Sequence, residues 1–430
     1  MLRKTMVSIA FVLFCVSSVP LEAAETKDGK FTEWGWPLPY EKVSNKSVQW
    51  LKEKGWWPLQ YGYSATWVAQ FAVPLIVKEK QLDRARGLEI EVQSFFAGPP
   101  MNEGLIAGKL QVSSGGDLPI TSLISRKAPI RSVGIIWTPV QEIQILVPID
   151  SPLKKPADLR GKTIGALGGS SGEFAVEAYA RAHGMTPGKD FVFRTTPIPD
   201  QITLPRGIDA VAPWMPTVRL MWKYHKNARI FDDTGPFIFG WGGLHVREEL
   251  IQNVPDVVQA IVDMAIEAIL WERLYTREAA EMMAKVPALR AYPAELIYEE
   301  NVAWMNNLKP TWAYPFVNIY AAAGVKAAKW LHEKGRLRDL VTEEDYRTYF
   351  RGAPELVNRT YAKLGWKVPK EPPFFPPGVT TATFREWLKT DQRLSLIKPY
   401  ELATAQSWPE PEDLERPWYF GGKWYQPKGR

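Results

Sequence analysis

The clearest strand-loop-helix pattern in the chain is KTIGALGGSSGEFAVEAYARAHG, residues 162–184. Residues 163–167 form a short apolar run typical of a buried strand, and residues 173–183 carry apolar side chains at helical spacing. The turn between them is rich in glycine, which lets the main chain approach a ligand, and Ser170 or Ser171 is placed to cap the helix. Because the helix dipole directs its positive end at such a turn, the loop is suited to hold an anion or a polar group.

Two other interpretations of the loop remain open. It satisfies the G-x-S-x-G pattern of the hydrolase nucleophile elbow through Gly168, Ser170 and Gly172. Asp209 with His225 or His245 would then complete a triad, although no HGGG-type segment precedes the elbow. A glycine turn with an ordinary serine cap also explains the local structure. The Walker A and G-x-G-x-x-G patterns are absent from the sequence, so a phosphate loop is not indicated.

The first 23 residues have the pattern of an export signal. Arg3 and Lys4 precede an apolar core at residues 6–19, and small residues follow for cleavage near Ala23 or Ala24. The core is shorter than the ~20 apolar residues that span a bilayer. We therefore expect a periplasmic protein that is released from the membrane.

Cysteine, histidine and charge exclude several classes of function. The sequence contains one cysteine, Cys15, and it lies in the signal, so the exported chain has no thiolate nucleophile, disulfide or cysteine metal site. The four histidines are scattered without metal-ligand spacing, and we expect them at the surface or at helix ends. A net charge of +6 is diluted by 47 acidic residues, which argues against nucleic acid as a partner. No cofactor or metal is indicated.

Successive β-α-β units predict an α/β fold with largely parallel sheets. In the first half, residues 59–63, 89–95 and 110–113 read as strands that alternate with helical patterns. Gly115, Gly116 and Asp117 follow the third strand, where open α/β sheets bind their ligands. Asp117 is also a plausible N-cap, because Pro119 stands just inside the next helix. Both roles are compatible.

The pattern predicts two lobes with extensions at both ends. Residues 148–244 should form the second lobe, and the helical segments after residue 245 should return to close the first. Residues beyond 336 have proline-rich loops and an aromatic tail, which we interpret as a wrap without chemistry of its own. The predicted segments are a signal at 1–23, an N-terminal extension at 24–55, lobe 1 at 56–147 and 245–335, lobe 2 at 148–244, and a C-terminal extension at 336–430.

Four blocks, in order, resemble the substrate-binding proteins of ABC transporters for nitrate, sulfonate and taurine, particularly the aliphatic-sulfonate binders. They are LIAGKL with GGDLP at residues 105–119, DSP with ADLRGK at 150–162, GSS at 169–171, and IDAVAPWMP at 208–216. The resemblance covers roughly residues 59–271. It implies a type II periplasmic binding protein fold, with two crossover segments near residues 144–148 and 240–244 and a ligand clamped between the lobes.

The resemblance also implies which residues contact the ligand. The expected contacts, carried over by position, are Ser64, Thr66, Trp67, Gly116, Asp117, Trp137, Ser170, Ser171 and Trp214. Backbone amides and hydroxyls would hold the polar head of a small anionic solute, and the indoles would cover the rest. Core packing is the alternative for each tryptophan. The implied partner is a permease in the inner membrane, which a monomeric protein would meet.

Two features bear on the activity that the resemblance implies. The sulfonate branch often has histidine two residues beyond the GSS, where this chain has Glu173, which would repel an anion if it pointed inward. Relatives on this fold include a desulfinase that needs a nucleophilic cysteine and a pyrimidine synthase that needs a cysteine-rich motif. The exported chain has neither, so the sequence favours binding without turnover.

Overall fold

The computed structural model describes residues 36, 38–64, 73–95, 97–137, 143–307, 315–365, 371–372, 375, 378–394, 418–420 and 423–425. The predicted signal and its cleavage position lie outside these residues, as do Thr66 and Trp67.

Ten strands build two five-stranded sheets. Most have long buried runs, as in β4 (IRSVGIIW), because helices cover both faces. The strands are β1 Leu59–Ser64, β2 Ile90–Phe95, β3 Val112–Gly116, β4 Ile130–Trp137, β5 Gln144–Pro148, β6 Thr163–Ala166, β7 Val192–Thr195, β8 Ala210–Val211, β9 Ala228–Asp233 and β10 Gly242–Arg247. A separate hairpin pairs β11 Trp418–Phe420 with β12 Lys423–Tyr425.

Sixteen helices in the described residues connect and cover the sheets. They are α1 Asn45–Glu53, α2 Val73–Glu79, α3 Leu82–Ala85, α4 Gly98–Ile106, α5 Asp117–Ser125, α6 Ser171–Ala182, α7 Ile198–Ile202, α8 Thr217–Arg219, α9 Glu248–Asn253, α10 Pro255–Leu274, α11 Thr276–Ala284, α12 Ala294–Asn307, α13 Val317–Glu333, α14 Glu343–Tyr349, α15 Ala353–Leu364 and α16 Thr381–Leu388. None of these combines the length and hydropathy needed to cross a membrane.

The two sheets have the same topology. Their strand orders are β2-β1-β3-β10-β4 and β7-β6-β8-β5-β9. In each, the first three strands pair in parallel, and the fourth, β10 or β5, is antiparallel to both neighbours. The α/β prediction is confirmed, but each sheet is mixed. The antiparallel strand is the first that the chain forms after it enters that lobe from the other, so it approaches without a β-α-β crossover.

The chain changes sheets earlier than the sequence suggested. Gln144–Pro148, predicted as a crossover at the end of lobe 1, pairs with β8 and β9 of the second sheet. The second predicted crossover overlaps β10, which starts at Gly242 in the first sheet. Both segments are apolar and suited to strands, and the sequence pattern alone does not say which sheet accepts them. The other lobe limits stay predictions.

The C-terminal extension packs on the first lobe. Helix α14 lies against α13 and β4, α15 lies against β4 and α10, and α16 lies against α13. The Tyr346 hydroxyl donates to the carbonyl of Gly324, 3.0 Å away, and lies 2.5 Å from Thr121 Oγ1 of α5. The segment after α16 reaches the link between β9 and β10, where the Leu394 amide donates to the carbonyl of Pro236 at 2.8 Å.

Candidate ligand-binding site

A cavity of about 340 Å³ lies between the lobes. It opens at the carboxyl ends of β1, β3 and β6, which is where α/β sheets bind ligands. Its wall consists of Ser64, Ala97, Gly98, Pro99, Met101, Gly115, Gly116, Asp117, Leu118, Pro119, Ser122, Leu167, Gly168, Gly169, Ser170, Ser171, Trp214, Leu331 and Arg336. A wider groove of about 800 Å³ lies outside the cleft beside α13 and α16, and is lined by charged side chains such as Lys329 and Glu333.

Three helices begin at the wall of this cavity. They are α4, α5 and α6, which start at Gly98, Asp117 and Ser171. The first two approach so closely that a Cβ on Gly98 would lie 2.2 Å from Pro119 Cγ, so only glycine fits there. Since each helix places the positive end of its dipole at its N-terminus, the three together favour a negative charge in the cavity.

Ser170 caps α6, as the sequence predicted. Its Oγ accepts a hydrogen bond from the Gly172 amide at 3.1 Å and donates to the carbonyl of Leu167 at 2.6 Å. The turn depends on Gly169, whose φ of 74° lies in the left-handed region. The single hydroxyl hydrogen of Ser170 is therefore committed to a main-chain carbonyl, and its backbone is ordinary extended chain with φ −103°.

Glu173 does not point into the cavity. Its side chain is buried, and Oε2 accepts from the Gly169 amide and from Arg336 Nη1, each at 2.7 Å. Arg336 Nη2 donates to the other carboxylate oxygen at 3.1 Å, which completes a bidentate pair. The repulsion expected from Glu173 is thus offset by a cation that itself lines the cavity.

Asp117 is the first residue of α5 rather than its N-cap, which is Gly116. Its Oδ1 accepts a hydrogen bond from the Leu118 amide at 2.9 Å. Burial raises the pKa of Asp117 to about 7, although backbone hydrogen bonds from Leu118 and Trp241 oppose the shift. Near neutral pH this carboxyl can therefore face an anion in its uncharged form.

His245 lies behind Gly115, which lines the cavity, and its position corrects the expectation that the histidines lie at the surface or at helix ends. It is buried on β10, with Nε2 3.2 Å from the carbonyl of Gly115 and Nδ1 2.9 Å from the Tyr349 hydroxyl. Burial lowers the pKa of His245 to about 4, so the ring is neutral at pH 7. Because the carbonyl can only accept, Nε2 carries the proton and Tyr349 donates to Nδ1.

The structure brings six of the nine predicted residues to the lining of the cavity: Ser64, Gly116, Asp117, Ser170, Ser171 and Trp214. Trp137 is not on the wall. It is 1% exposed, and a Cβ on Gly240 would lie 3.6 Å from its Cη2 and 3.2 Å from Asp117 Oδ2. Its indole fills the core behind Asp117, as expected for a large apolar group at the end of a buried strand.

Sequence reasoning missed the residues that come from outside the four blocks that carry the resemblance. Arg336 and Leu331 reach the wall from α13 and the turn after it, a region read as lobe closure and wrap. Residues 97–101 also contribute, at the start of α4. The signal for the latter was available, since Gly98-Pro99-Pro100 follows a strand, but nothing local marks Arg336.

Comparison with known proteins shows similarity to one family. Residues 75–271 match the model of the NMT1/THI5 like family. A Bacillus subtilis (strain 168) protein named for binding aliphatic sulfonates is 25% identical over 220 residues, which cover 50% of this chain and 66% of that relative.

Solved structures share the fold at low identity. The periplasmic aliphatic sulphonate binding protein SsuA of Escherichia coli is 22% identical with a TM-score of 0.57, covering 67% of this chain and 91% of its own. The periplasmic nitrate-binding protein NrtA of Synechocystis PCC 6803 is 16% identical with a TM-score of 0.59, covering 78% and 98%. DszB, solved with biphenyl-2-sulfinic acid, is 18% identical with a TM-score of 0.53, covering 71% and 99%.

These findings confirm the resemblance and the fold that it implied. The molecule has the type II periplasmic binding protein fold, and the sulfonate and nitrate binders are among its relatives and structural neighbours.

Proposed function

Because residues 75–271 match the NMT1/THI5 like family, we propose that the chain is the extracytoplasmic solute-binding component of an ABC importer. It captures a small organic anion between its lobes. The observation that carries this proposal is the cavity of about 340 Å³ at which the N-termini of three helices meet. Such helix ends offer amide donors and positive dipoles to a sulfonate or carboxylate head group.

The rest of the wall favours an organic ligand over an inorganic one. Met101, Leu118, Leu167 and Leu331 surround the polar end with apolar surface, and Trp214 adds an indole. A ligand that covers this apolar surface removes it from water, which favours binding. A sulfonate or carboxylate with an aliphatic or aromatic body therefore suits the cavity better than nitrate does.

The geometry around Ser170 argues against the hydrolase alternative. Its hydroxyl donates to Leu167, and Asp209 accepts from the Thr163 amide at 2.8 Å. His245 belongs to the first lobe, bonded to Gly115 and Tyr349, and His225 is exposed at the end of the π-helical turn after α8. The candidate triad is thus dispersed, whereas nucleophilic catalysis needs serine and base within hydrogen-bond reach. Binding without turnover is the function that these contacts support.

Delivery and location complete the proposal. The apolar signal pattern supports export to the periplasm, and the fold supports release of the solute to a permease after the lobes open. The protein acts as a monomer.

A thermal-shift screen tests the function. Purified exported protein is heated with benzenesulfonate, hexanesulfonate, benzoate and nitrate, and an organic anion should raise the Tm, since ligand at one hundred times Kd adds about 2.7 kcal/mol. Gly116→Leu serves as the blocking variant, because a Cβ at Gly116 meets nothing within 4 Å and its side chain would stand in the cavity. This variant should fold normally and lose the shift. Failure of every anion to shift the wild-type Tm would count against the proposal.

A further inference from the structure

Arg336 reaches the cavity from outside the family domain. It follows α13 and a left-handed turn at Gly335, and it lies 65 positions beyond residue 271, where the family match ends. Its guanidinium crosses to the glycine loop of the second lobe, where a Cβ on Gly169 would lie 3.8 Å from Nη1. It lines the cavity beside Gly168, Ser170 and Ser171.

Glu173 holds this guanidinium from behind. The carboxylate is 3% exposed, does not line the cavity, and receives two hydrogen bonds from Arg336 at 2.7 and 3.1 Å. Arg336 is also fixed over the Trp330 ring, 5.4 Å from its centroid. Since a guanidinium has five N–H donors and this side chain remains 36% exposed, donors are left for a ligand on the cavity side.

Two carboxyl groups, Asp117 and Glu173, affect how well the Arg336 guanidinium can attract an anion. Asp117, which also lines the cavity, repels an anion whenever it is ionised, and Glu173 partly neutralises the guanidinium. The strength of an ion pair depends on what competes for the cation. A buried carboxylate behind the guanidinium therefore weakens its attraction for any anion in front of it.

We propose that Arg336 is the residue that contacts the anionic group of the ligand, and that Glu173 sets the affinity by competing for the same guanidinium. This inference rests on the proposed function and names the residue that selects for charge. It assigns a binding role to the segment that follows α13, which lies outside the residues that match the family model.

Paired probes separate a ligand contact from a contact that only joins the lobes. Benzenesulfonate carries the charge, and benzenesulfonamide, uncharged at neutral pH, has nearly the same shape. Arg336→Gln should weaken benzenesulfonate binding about tenfold or more and leave benzenesulfonamide within about twofold, as measured by calorimetry. Glu173→Gln keeps an acceptor for the Gly169 amide but removes the competing charge, so it should tighten benzenesulfonate binding several-fold.

The two variants should change benzenesulfonate affinity in opposite directions, and this difference tests the proposal. If Arg336 and Glu173 only join the lobes, both variants should weaken both probes alike, and that result overturns the inference. Arg336→Lys, which keeps the charge, should retain the preference for benzenesulfonate and covers the case in which Arg336→Gln does not fold. Lys329→Gln, at a side chain 71% exposed on the outer face of α13, controls for net charge. Wild-type protein that binds no organic anion would instead overturn the proposed function.

Discussion

Two clusters of ion pairs join the lobes, with opposite polarity. In the buried clasp, Arg219 and Lys223 of the second lobe pair with Glu299 and Glu300 of α12 in the first. In the rim clasp, Glu173 and Glu177 of α6 in the second lobe pair with Lys334 and Arg336, and Glu177 accepts from Trp330 Nε1 at 2.9 Å.

The arginines of the two clasps differ in how much water reaches them, although Lys223 of the buried clasp is itself 42% exposed. The Arg219 side chain is 6% exposed and its partner Glu300 is 0% exposed, whereas Arg336 is 36% exposed over a buried carboxylate. A buried charge that loses its partner has no water to replace it, but an exposed one does. The Arg219 pair therefore matters more for the stability of the fold, while the more exposed Arg336 remains available to respond to a ligand.

Breaking the buried clasp should have the largest effect. Arg219→Ala leaves Glu300, whose pKa burial already raises, without its guanidinium, and we expect a loss of about 3–5 kcal/mol in the free energy of unfolding. Urea denaturation measures it. The matched control is Arg126→Ala, which removes an exposed pair 3.0 Å from Glu103 and should cost less than about 1 kcal/mol. Equal losses in the two variants would contradict the distinction between buried and exposed pairs.

The second-largest loss of stability is expected at Trp330, the neutral member of the rim clasp. Trp330→Phe keeps an aromatic ring against Phe174, now 5.1 Å away, but removes the donor to the buried Glu177 carboxylate. We expect a loss of about 1.5–3 kcal/mol, because hydrogen bonds to charged groups are the stronger ones. Trp387→Phe is the control, since that indole donates to the neutral carbonyl of Gln392 at 2.7 Å and should cost about 0.5–1.5 kcal/mol. A larger loss of stability in Trp387→Phe than in Trp330→Phe would contradict this prediction.

The protonation state of Asp117 should change the affinity of the cavity for an anion. Its raised pKa of about 7 means that the carboxyl is neutral below that pH and negative above it, so the affinity for an anion falls as pH rises through 7. Benzenesulfonate should bind about tenfold more weakly at pH 8 than at pH 6. Calorimetry at both values tests this, and Asp117→Asn should flatten the profile. A wild-type profile as flat as that of Asp117→Asn would show that the carboxyl does not sense the ligand.

The smallest effect is expected at Lys334 of the rim clasp. Lys334 is 32% exposed and pairs with Glu177, which also has Trp330 as a donor. Lys334→Gln should cost less than about 1 kcal/mol, and 1 M salt should reduce the difference further because salt screens exposed charges. Urea denaturation at low and high salt provides the measurement. A loss as large as that from Arg219→Ala would place both clasps in the same class.

The sequence predicted the parts of the fold that depend on local pattern. Ser170 lies where a glycine turn meets an apolar helical stripe, so its capping role followed from residue type and spacing. The same holds for the strand at Thr163–Ala166. Strand partners are a different matter: β5 is apolar and would suit either sheet, and its pairing with β8 and β9 depends on contacts distant in sequence.

Side-chain direction limits what could be predicted about the site. Trp137 and Trp214 both end or follow buried strands, yet only Trp214 reaches the cavity. Nothing in the local sequence separates them. Arg336 is more instructive, because its position depends on the packing of α13 against α5 and on a buried acid that is 163 residues away in sequence.

The C-terminal extension has a mechanical consequence. Phe384 of α16 packs 4.8 Å from Phe239, and the Leu394 amide bonds to Pro236, so the extension lies along the link through which the chain returns from lobe 2 to lobe 1. These contacts restrain the link and make it harder to bend. The lobes should therefore separate more slowly than in a variant truncated after α15. Such a truncation should change the residence time of the ligand rather than its affinity.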